Sequence, residues 1–420
     1  VTASDLSSLS RTDYRLTPLT ALLGVQMLLV AFGALVLVPL LTGLDPNVAL
    51  FTAGVGTLLF QLVTGGQVPV FLASSFAFIA PIIYGAQAWG LAATFSGLIA
   101  AGVVYIVLSV IVRLGGIERV RRLLPPVVVG PVIMVIGISL APVAANLAMG
   151  RTDDGGELLV PYGTALPVAT VALAATVVPA ILGRGMVRLL SVLIGAAVGY
   201  LFALVLGLVD FSPVIEAEWL RVPGFVAPVF SWQAIVFITP VAIAPAIEHF
   251  GDILTIRSVT GKDFLAKPGI HRTLLGDGLA TMLASAMGGP PNTTYSEVTG
   301  AVALTRAYNP AVMTCAALAA VALAFIGKLG AMLQTIPTPV MGGLLIVLFG
   351  AITVVGLNLL TSSGDDLLEP RNLSVVAIVL VSGVGGLSIG TPDWSLTGIG
   401  LAAVLGLVVN LVLPASVKSR

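Results

Sequence analysis

The chain has 420 residues, 58% of them apolar and 9% charged, and its 19 basic and 19 acidic side chains cancel to zero net charge. A soluble domain is about a quarter charged, and no water-soluble fold of this length has interior enough to hide so much apolar side chain. This excludes a cytosolic enzyme, a disulfide-stapled secreted scaffold and a nucleic-acid-binding domain, and leaves a polytopic membrane protein.

Residues 1–18 carry Asp5, Arg11, Asp13 and Arg15 without an apolar run, so a polar tail is expected there and not a signal peptide. From there, apolar stretches between polar breaks place spans at 19–43, 47–65, 69–83, 89–112, 126–148, 165–182 and 187–209. They continue at 232–256, 273–288, 292–307, 311–327, 339–358, 373–390 and 396–414, fourteen in all. The lone cysteine, Cys315, sits in the eleventh as an apolar filler.

Two spans are irregular. The third is short and runs from Pro69 to Pro81. The tenth opens on Gly288-Gly289-Pro290-Pro291-Asn292-Thr293-Thr294-Tyr295-Ser296-Glu297, a poor helix sequence that reads as extended chain. Extended backbone at membrane depth is tolerated only inside protein or beside a water-filled cavity, and interrupted spans are where transporters build binding sites.

Basic residues test the count. With the N-terminus cytoplasmic, sixteen of nineteen fall inside and only Arg151, Arg221 and Lys328 outside, as the positive-inside bias requires. Arg113-Leu114-Gly115 and Pro125-Pro126-Val127 are echoed by Lys328-Leu329-Gly330 and Pro337-Thr338-Pro339-Val340, with offsets of 215 at Arg113 and 213 at Pro126. Seven spans per half is an odd number, so the second copy enters the bilayer inverted.

The spans lack Lys and Arg but hold Glu248 and Asp252 in the eighth, Asp277 in the ninth and Glu297 in the tenth. An ionisable group at that depth costs a few kcal/mol even on lenient scales, so each requires a reason. Glu248 and Glu297 read as functional. Asp277 reads as a contact between helices and His249 as a packing or hydrogen-bonding residue, while Gln26 and Met27 read as helix packing, with Gln26 also able to reach a site. Asp252, one turn from Glu248 on the same face, reads equally as a proton relay or a hydrated helix end. Two buried carboxylates accept hydrogen bonds, which suits a flat substrate with N–H donors, and a buried acid is a natural carrier of a coupled proton. An inorganic anion has no cation to meet at depth, though mid-membrane helix N-termini offer it their dipoles.

The stretch Asn292-Thr293-Thr294-Tyr295-Ser296-Glu297-Val298-Thr299-Gly300 resembles the signature of the nucleobase/ascorbate transporter family, in its bacterial uracil permease branch. The likeness extends to Phe32-Gly33-Ala34 in the first span, Ser74-Ser75-Phe76-Ala77 in the third, Glu248-His249, Lys267-Pro268-Gly269-Ile270-His271-Arg272 and Pro337-Thr338-Pro339. The resemblance implies an all-α membrane protein of fourteen segments in a 7+7 inverted repeat, with segments 3 and 10 each a short strand plus a half-helix. It implies a core domain (19–112 and 232–327), a gate domain (126–209 and 339–414), and pairing of copies through the gate. It further implies that Glu248 and Glu297 bind the ring, that the backbone at Phe76 and Ser296 contacts it, and that Tyr295 lines the pocket. Proton coupling would involve Glu297, Glu248 and Asp252. Three positions depart from the family pattern: Met27 stands where His is usual, Val298 where Asn is common, and Asp252 where His occurs. Ser296 stands where Gly is common.

The expected function is therefore import of a nucleobase, uracil first and xanthine or another oxopurine second, with a proton, across a bacterial inner membrane with both termini cytoplasmic. No metal, cofactor or nucleic-acid partner is expected. The rival of another class is an anion transporter or exchanger of the sulphate-permease type, and an intramembrane enzyme lacks the residues for its chemistry.

Overall fold

A computed structural model describes residues 12–115, 125–391 and 394–414. Most of the tail, Arg119, Arg121 and Arg122 of the first basic loop, and the C-terminal Lys418 and Arg420 lie outside the described residues. A helix overlaps each of the fourteen stretches expected from the sequence, beginning only at Phe76 in the third and at Ser296 in the tenth. Among the described residues, seven are long and apolar enough to cross a bilayer, and shorter apolar helices fill five further stretches.

The first half comprises α1 (Pro18–Thr42), α2 (Pro46–Thr64), strand β1 (Leu72–Ser74), α3 (Ile79–Trp89), α4 (Leu91–Gly115), α5 (Pro126–Ala148), α6 (Tyr162–Leu182) and α7 (Ser191–Val205). The second comprises α8 (Trp232–Ile238), which continues through a 3₁₀ turn into α9 (Ile243–Thr260), then α10 (Ile270–Ala286), strand β2 (Asn292–Thr294) and α11 (Ser296–Thr305). Then follow α12 (Ala311–Ala324), α13 (Gly327–Gln334), α14 (Thr338–Ser362), α15 (Pro370–Val384), a hairpin of β3 (Ser388–Thr391) and β4 (Trp394–Thr397), and α16 (Gly398–Val412). The hairpin and the short α13 are local elements that the span reading left out.

Local chemistry sets the ends. Thr17 caps α1 reciprocally with Thr20, and Pro18 supplies a first residue that has no N–H to lose. Asp45 caps α2 by accepting from the Asn47 amide at 2.8 Å. Both helices end at glycines with left-handed φ, Gly43 at 71° and Gly65 at 66°.

The packing falls into two groups. In one, α4 lies on α10 and α12 lies on α2 and α1, with both strands between them. In the other, α5 lies along α14, α6 packs on α7 and α14, and α15 packs on α16 and α5. The α5–α14 contact is close because glycines face each other. A Cβ on Gly130 would stand 2.8 Å from the Gly356 carbonyl, and one on Gly356 would stand 2.6 Å from the Gly130 carbonyl.

The irregular spans meet at the centre of the first group. β1 pairs antiparallel with β2, with Leu72 opposite Thr294, Ala73 opposite Thr293 and Ser74 opposite Asn292. The Ser75 amide donates to the Pro291 carbonyl (2.9 Å) and the Tyr295 amide to the Phe71 carbonyl (3.1 Å), extending the ladder at both ends. Two three-residue strands have outer edges that nothing in an apolar interior would satisfy. Here helices satisfy them. The Thr57 hydroxyl of α2 accepts from the Leu72 amide (2.9 Å) and reaches its carbonyl (3.2 Å). On the other edge, the Thr281 hydroxyl of α10 donates to the Asn292 carbonyl at 2.7 Å, and the Asn292 side-chain amide donates to the Thr52 carbonyl at 2.6 Å.

Candidate functional site

Each strand delivers the chain into a helix start. After β1, a 3₁₀ turn at Phe76–Phe78 leads into α3; after β2, α11 begins directly at Ser296. The first amides of a helix have no intrahelical acceptor and carry the positive end of its dipole. Two such starts, at Phe76 and Ser296, therefore flank one space at the strand pair.

That space is a cavity of about 200 Å³. One wall is polar and comes from the strand-bearing group: Ser75, Phe76 and Ala77, Thr293 to Glu297, and Glu248 of α9. The facing wall is apolar and comes from the other group, with Ile133 and Ile136 of α5 and Leu348, Ala351, Ile352 and Val355 of α14. The Phe76 ring meets Phe349 of α14 edge to face, with centroids 6.4 Å apart. The cavity thus lies on the seam between the two packing groups.

The structure brings Glu248, Glu297, Phe76, Ser296 and Tyr295 together on this cavity. Their contacts separate their roles. The Ser296 hydroxyl is 2.8 Å from Asp252 Oδ1 and 3.5 Å from Glu248 Oε1. A hydroxyl has one proton to donate, so it goes to Asp252 and leaves Glu248 free to accept from whatever fills the cavity. Asp252 is buried behind Ser296 and is not part of the lining, which removes the hydrated-helix-end reading of this residue. The Tyr295 hydroxyl donates to the Ser74 carbonyl at 2.9 Å. Its ring lines the cavity while its polar end ties the second half-helix to the first strand.

Behind this layer, His249 is fully buried, with Nε2 2.9 Å from the Thr273 hydroxyl and Nδ1 3.4 Å from Asp277 Oδ2. Asp277, on α10, stands beside the His249 ring of α9. His249 thus makes a buried hydrogen bond, as its reading as a packing or hydrogen-bonding residue expects. Gln26 does not line the cavity and donates to the Met186 sulphur.

Two departures from the family pattern fall outside the lining. Met27 and Val298 are each fully buried among other side chains and do not line the cavity. The third, Asp252, meets the lining through the Ser296 hydroxyl. Sequence reasoning missed the apolar wall. Ile133, Ile136, Leu348, Ala351, Ile352 and Val355 have no feature that separates them from the lipid-facing and core residues of the same helices.

Comparison with known proteins follows the same line. The profile of a family described as "Permease family" (Xan_ur_permease) matches residues 19–390. The chain is 54% identical over 394 residues to a probable uracil permease of Pasteurella multocida, covering 94% of this chain and 93% of that one. It is 47% identical over 399 residues to a uracil permease of Bacillus caldolyticus, covering 93% and 91%. It is 37% identical over 395 residues to a uracil permease of Escherichia coli, covering 93% and 90%. Among solved structures, the transmembrane domain of the cyanobacterial bicarbonate transporter BicA superposes with a TM-score of 0.65 at 15% identity, covering 93% of this chain and 96% of that one. The murine Solute Carrier 26 family member A9 anion transporter, inward-facing, gives 0.70 at 14%, covering 98% and 72%. At those identities the likeness is one of fold.

Proposed function

The chain belongs to the nucleobase/ascorbate transporter family of permeases, and from that premise we propose that it imports uracil together with a proton across a bacterial inner membrane. It is a multi-pass membrane transporter and not an enzyme. The observation that carries the substrate reading is the cavity's polar wall. Glu248 and Glu297 accept from ring N–H groups, and the helix-start amides at Phe76 and Ser296 donate to ring carbonyls. The apolar wall of α5 and α14 covers the ring face.

In this reading fourteen segments cross the bilayer as a 7+7 inverted repeat, with both termini cytoplasmic. The group holding the strands (19–112 and 232–327) is the core, and the group holding α5 and α14 (126–209 and 339–414) is the gate. Transport is movement of the core against the gate, which exposes the seam alternately to each side. The pairing supports the repeat: segment 4 packs on segment 9 as segment 11 packs on segment 2, and segment 3 pairs with segment 10. Proton coupling follows from charge. Glu248, Asp252 and Glu297 are grouped on one moving body, and among the described residues no Lys or Arg lines the cavity. A proton taken up there with the substrate removes a charge that would otherwise travel through a low-dielectric seam. Pairing of copies through the gate is part of the same proposal.

The rival is an anion transporter, favoured by the fold of the two structural relatives and by the paired helix starts. Two carboxylates on the cavity speak against it. Uptake of labelled uracil, xanthine and sulphate into proteoliposomes, with and without an inward proton gradient, separates the readings. Gradient-driven uracil uptake is expected. Sulphate uptake indifferent to nucleobases would overturn the proposal, and sodium dependence without protonophore sensitivity would replace the coupling ion.

A further inference from the structure

The substrate cavity has a neighbour on the same seam. A second cavity of about 150 Å³ is lined by Tyr84 of α3, Ser139 of α5, Phe237 of α8 and Thr397 to Gly400 at the start of α16. Two of its walls continue walls of the first. Ile136 lines the first cavity and Ser139 the second, about 4.5 Å further along α5 at 1.5 Å per residue. Likewise Ala77 lines the first and Tyr84 the second, roughly 10 Å further along the half-helix. The second cavity therefore follows the first toward the Trp89 end of the seam, which the proposed topology places outside.

Its surroundings are built for a flat ring. Tyr84 stacks on Phe237 with centroids 4.6 Å apart and 25° between planes, and Trp89 sets its edge against both at 5.5 and 5.7 Å. Tyr84 remains 43% exposed despite these contacts. An open aromatic face beside apolar side chains favours an offset-stacked planar ligand. One polar atom is orphaned there. The Ser139 hydroxyl is buried and makes no hydrogen bond among the described residues. Helical Ser and Thr ordinarily donate to the carbonyl four residues back, as Thr353 does to Phe349 at 3.0 Å. A buried hydroxyl without a partner is costly, so one is expected from the cavity.

We propose that this second cavity is a station for the flat heteroaromatic substrate on its way to Glu248 and Glu297, with the ring over Tyr84 and one polar edge on Ser139. It rests on the transport reading given above and adds a site of lower affinity, since one neutral hydroxyl and stacking replace two carboxylates.

Two variants test it. Ser139→Ala removes the hydroxyl, and Gly400→Leu places a side chain in the cavity. In a Glu297→Gln background, where tight binding is lost, millimolar uracil should still change the tryptophan fluorescence, and Trp89→Phe should abolish that change. Ser139→Ala should weaken this binding about 2- to 10-fold, the equivalent of one neutral hydrogen bond, and Gly400→Leu should eliminate it. With Glu297 intact, both variants should lower kcat/KM for uptake while the equilibrium Kd at the main cavity stays within about 2-fold. Unchanged kcat/KM in both variants, or a main-cavity Kd that rises in step with the fall in kcat/KM, would overturn the station. A parent protein that neither binds nor carries uracil would instead overturn the underlying transport reading.

Discussion

The substitution Thr57→Val tests how the strand pair is held at membrane depth. Thr57 is fully buried in α2 and its hydroxyl serves both the amide and the carbonyl of Leu72. Valine keeps the shape and removes both bonds, leaving two backbone groups with no water in reach. An unsatisfied buried group costs about 1–3 kcal/mol, so the loss is about 2–5 kcal/mol once the helix relaxes. Thr281→Val removes a single bond, to the Asn292 carbonyl, and should cost about 1–3 kcal/mol. Thr57→Ser keeps the hydroxyl and should stay within about 1 kcal/mol of the parent, the loss being one methyl. The assay is the half-life of uracil binding by detergent-solubilised protein at fixed elevated temperature, with the order parent, Thr57→Ser, Thr281→Val, Thr57→Val. Since β1 leads straight to Phe76, the Kd for uracil should weaken in the same order. If Thr57→Val is as long-lived as Thr57→Ser, the hydroxyl does not hold the strand and the edge is satisfied in some other way.

Glu248→Gln and Glu297→Gln should each abolish proton-driven uracil uptake, and normal transport by both would move the site elsewhere. Tyr295→Phe leaves the Ser74 carbonyl bare and should cost about 1–3 kcal/mol of stability while uptake survives at reduced rate, read from paired thermal and transport assays. Met27→His and Val298→Asn, made singly, should change the uracil Kd by less than about 3-fold, since neither position lines the cavity. Ala351→Phe, which fills the apolar wall, should abolish uracil binding with the protein still folded, as judged by its elution from a sizing column.

The polar wall of the cavity was legible in the chain because its residues are anomalous where they stand. Glu248 and Glu297 are charges in apolar spans, and Pro290-Pro291-Asn292 cannot continue a helix at membrane depth. Such features stand out against the background of Leu, Val and Ala. The apolar wall was illegible for the converse reason. Ile136 facing a cavity and an isoleucine facing lipid are chemically alike, and only the packing of α14 on α5 distinguishes them. The roles of Thr57 and Thr281 were hidden as well, since a helical threonine satisfying its own backbone and one satisfying a strand edge have the same sequence. Tyr295 was placed on the pocket from resemblance, but its tie to Ser74 required the register of the strand pair.

The departures from the family pattern bear on substrate choice through this geometry. Met27 on α1 and Val298 on α11 are buried and do not line the cavity, and Asp252 meets the Ser296 hydroxyl. In the proposed reading the ring meets Glu248, Glu297 and the helix starts at Phe76 and Ser296 on one side and a wall of Ile136, Leu348, Ala351 and Val355 on the other. Carboxylates and amides recognise an edge of alternating N–H and carbonyl groups, and both pyrimidine and purine substrates present one. In that reading the polar wall selects the class, and the apolar wall sets how far a ring extends beyond that edge. Selection between a one-ring and a two-ring substrate is then a matter of volume in α5 and α14. A missing or extra methylene in such a wall is worth only about 1–3 kcal/mol, which makes substrate range easy to shift by single wall substitutions and hard to shift from the signature stretch.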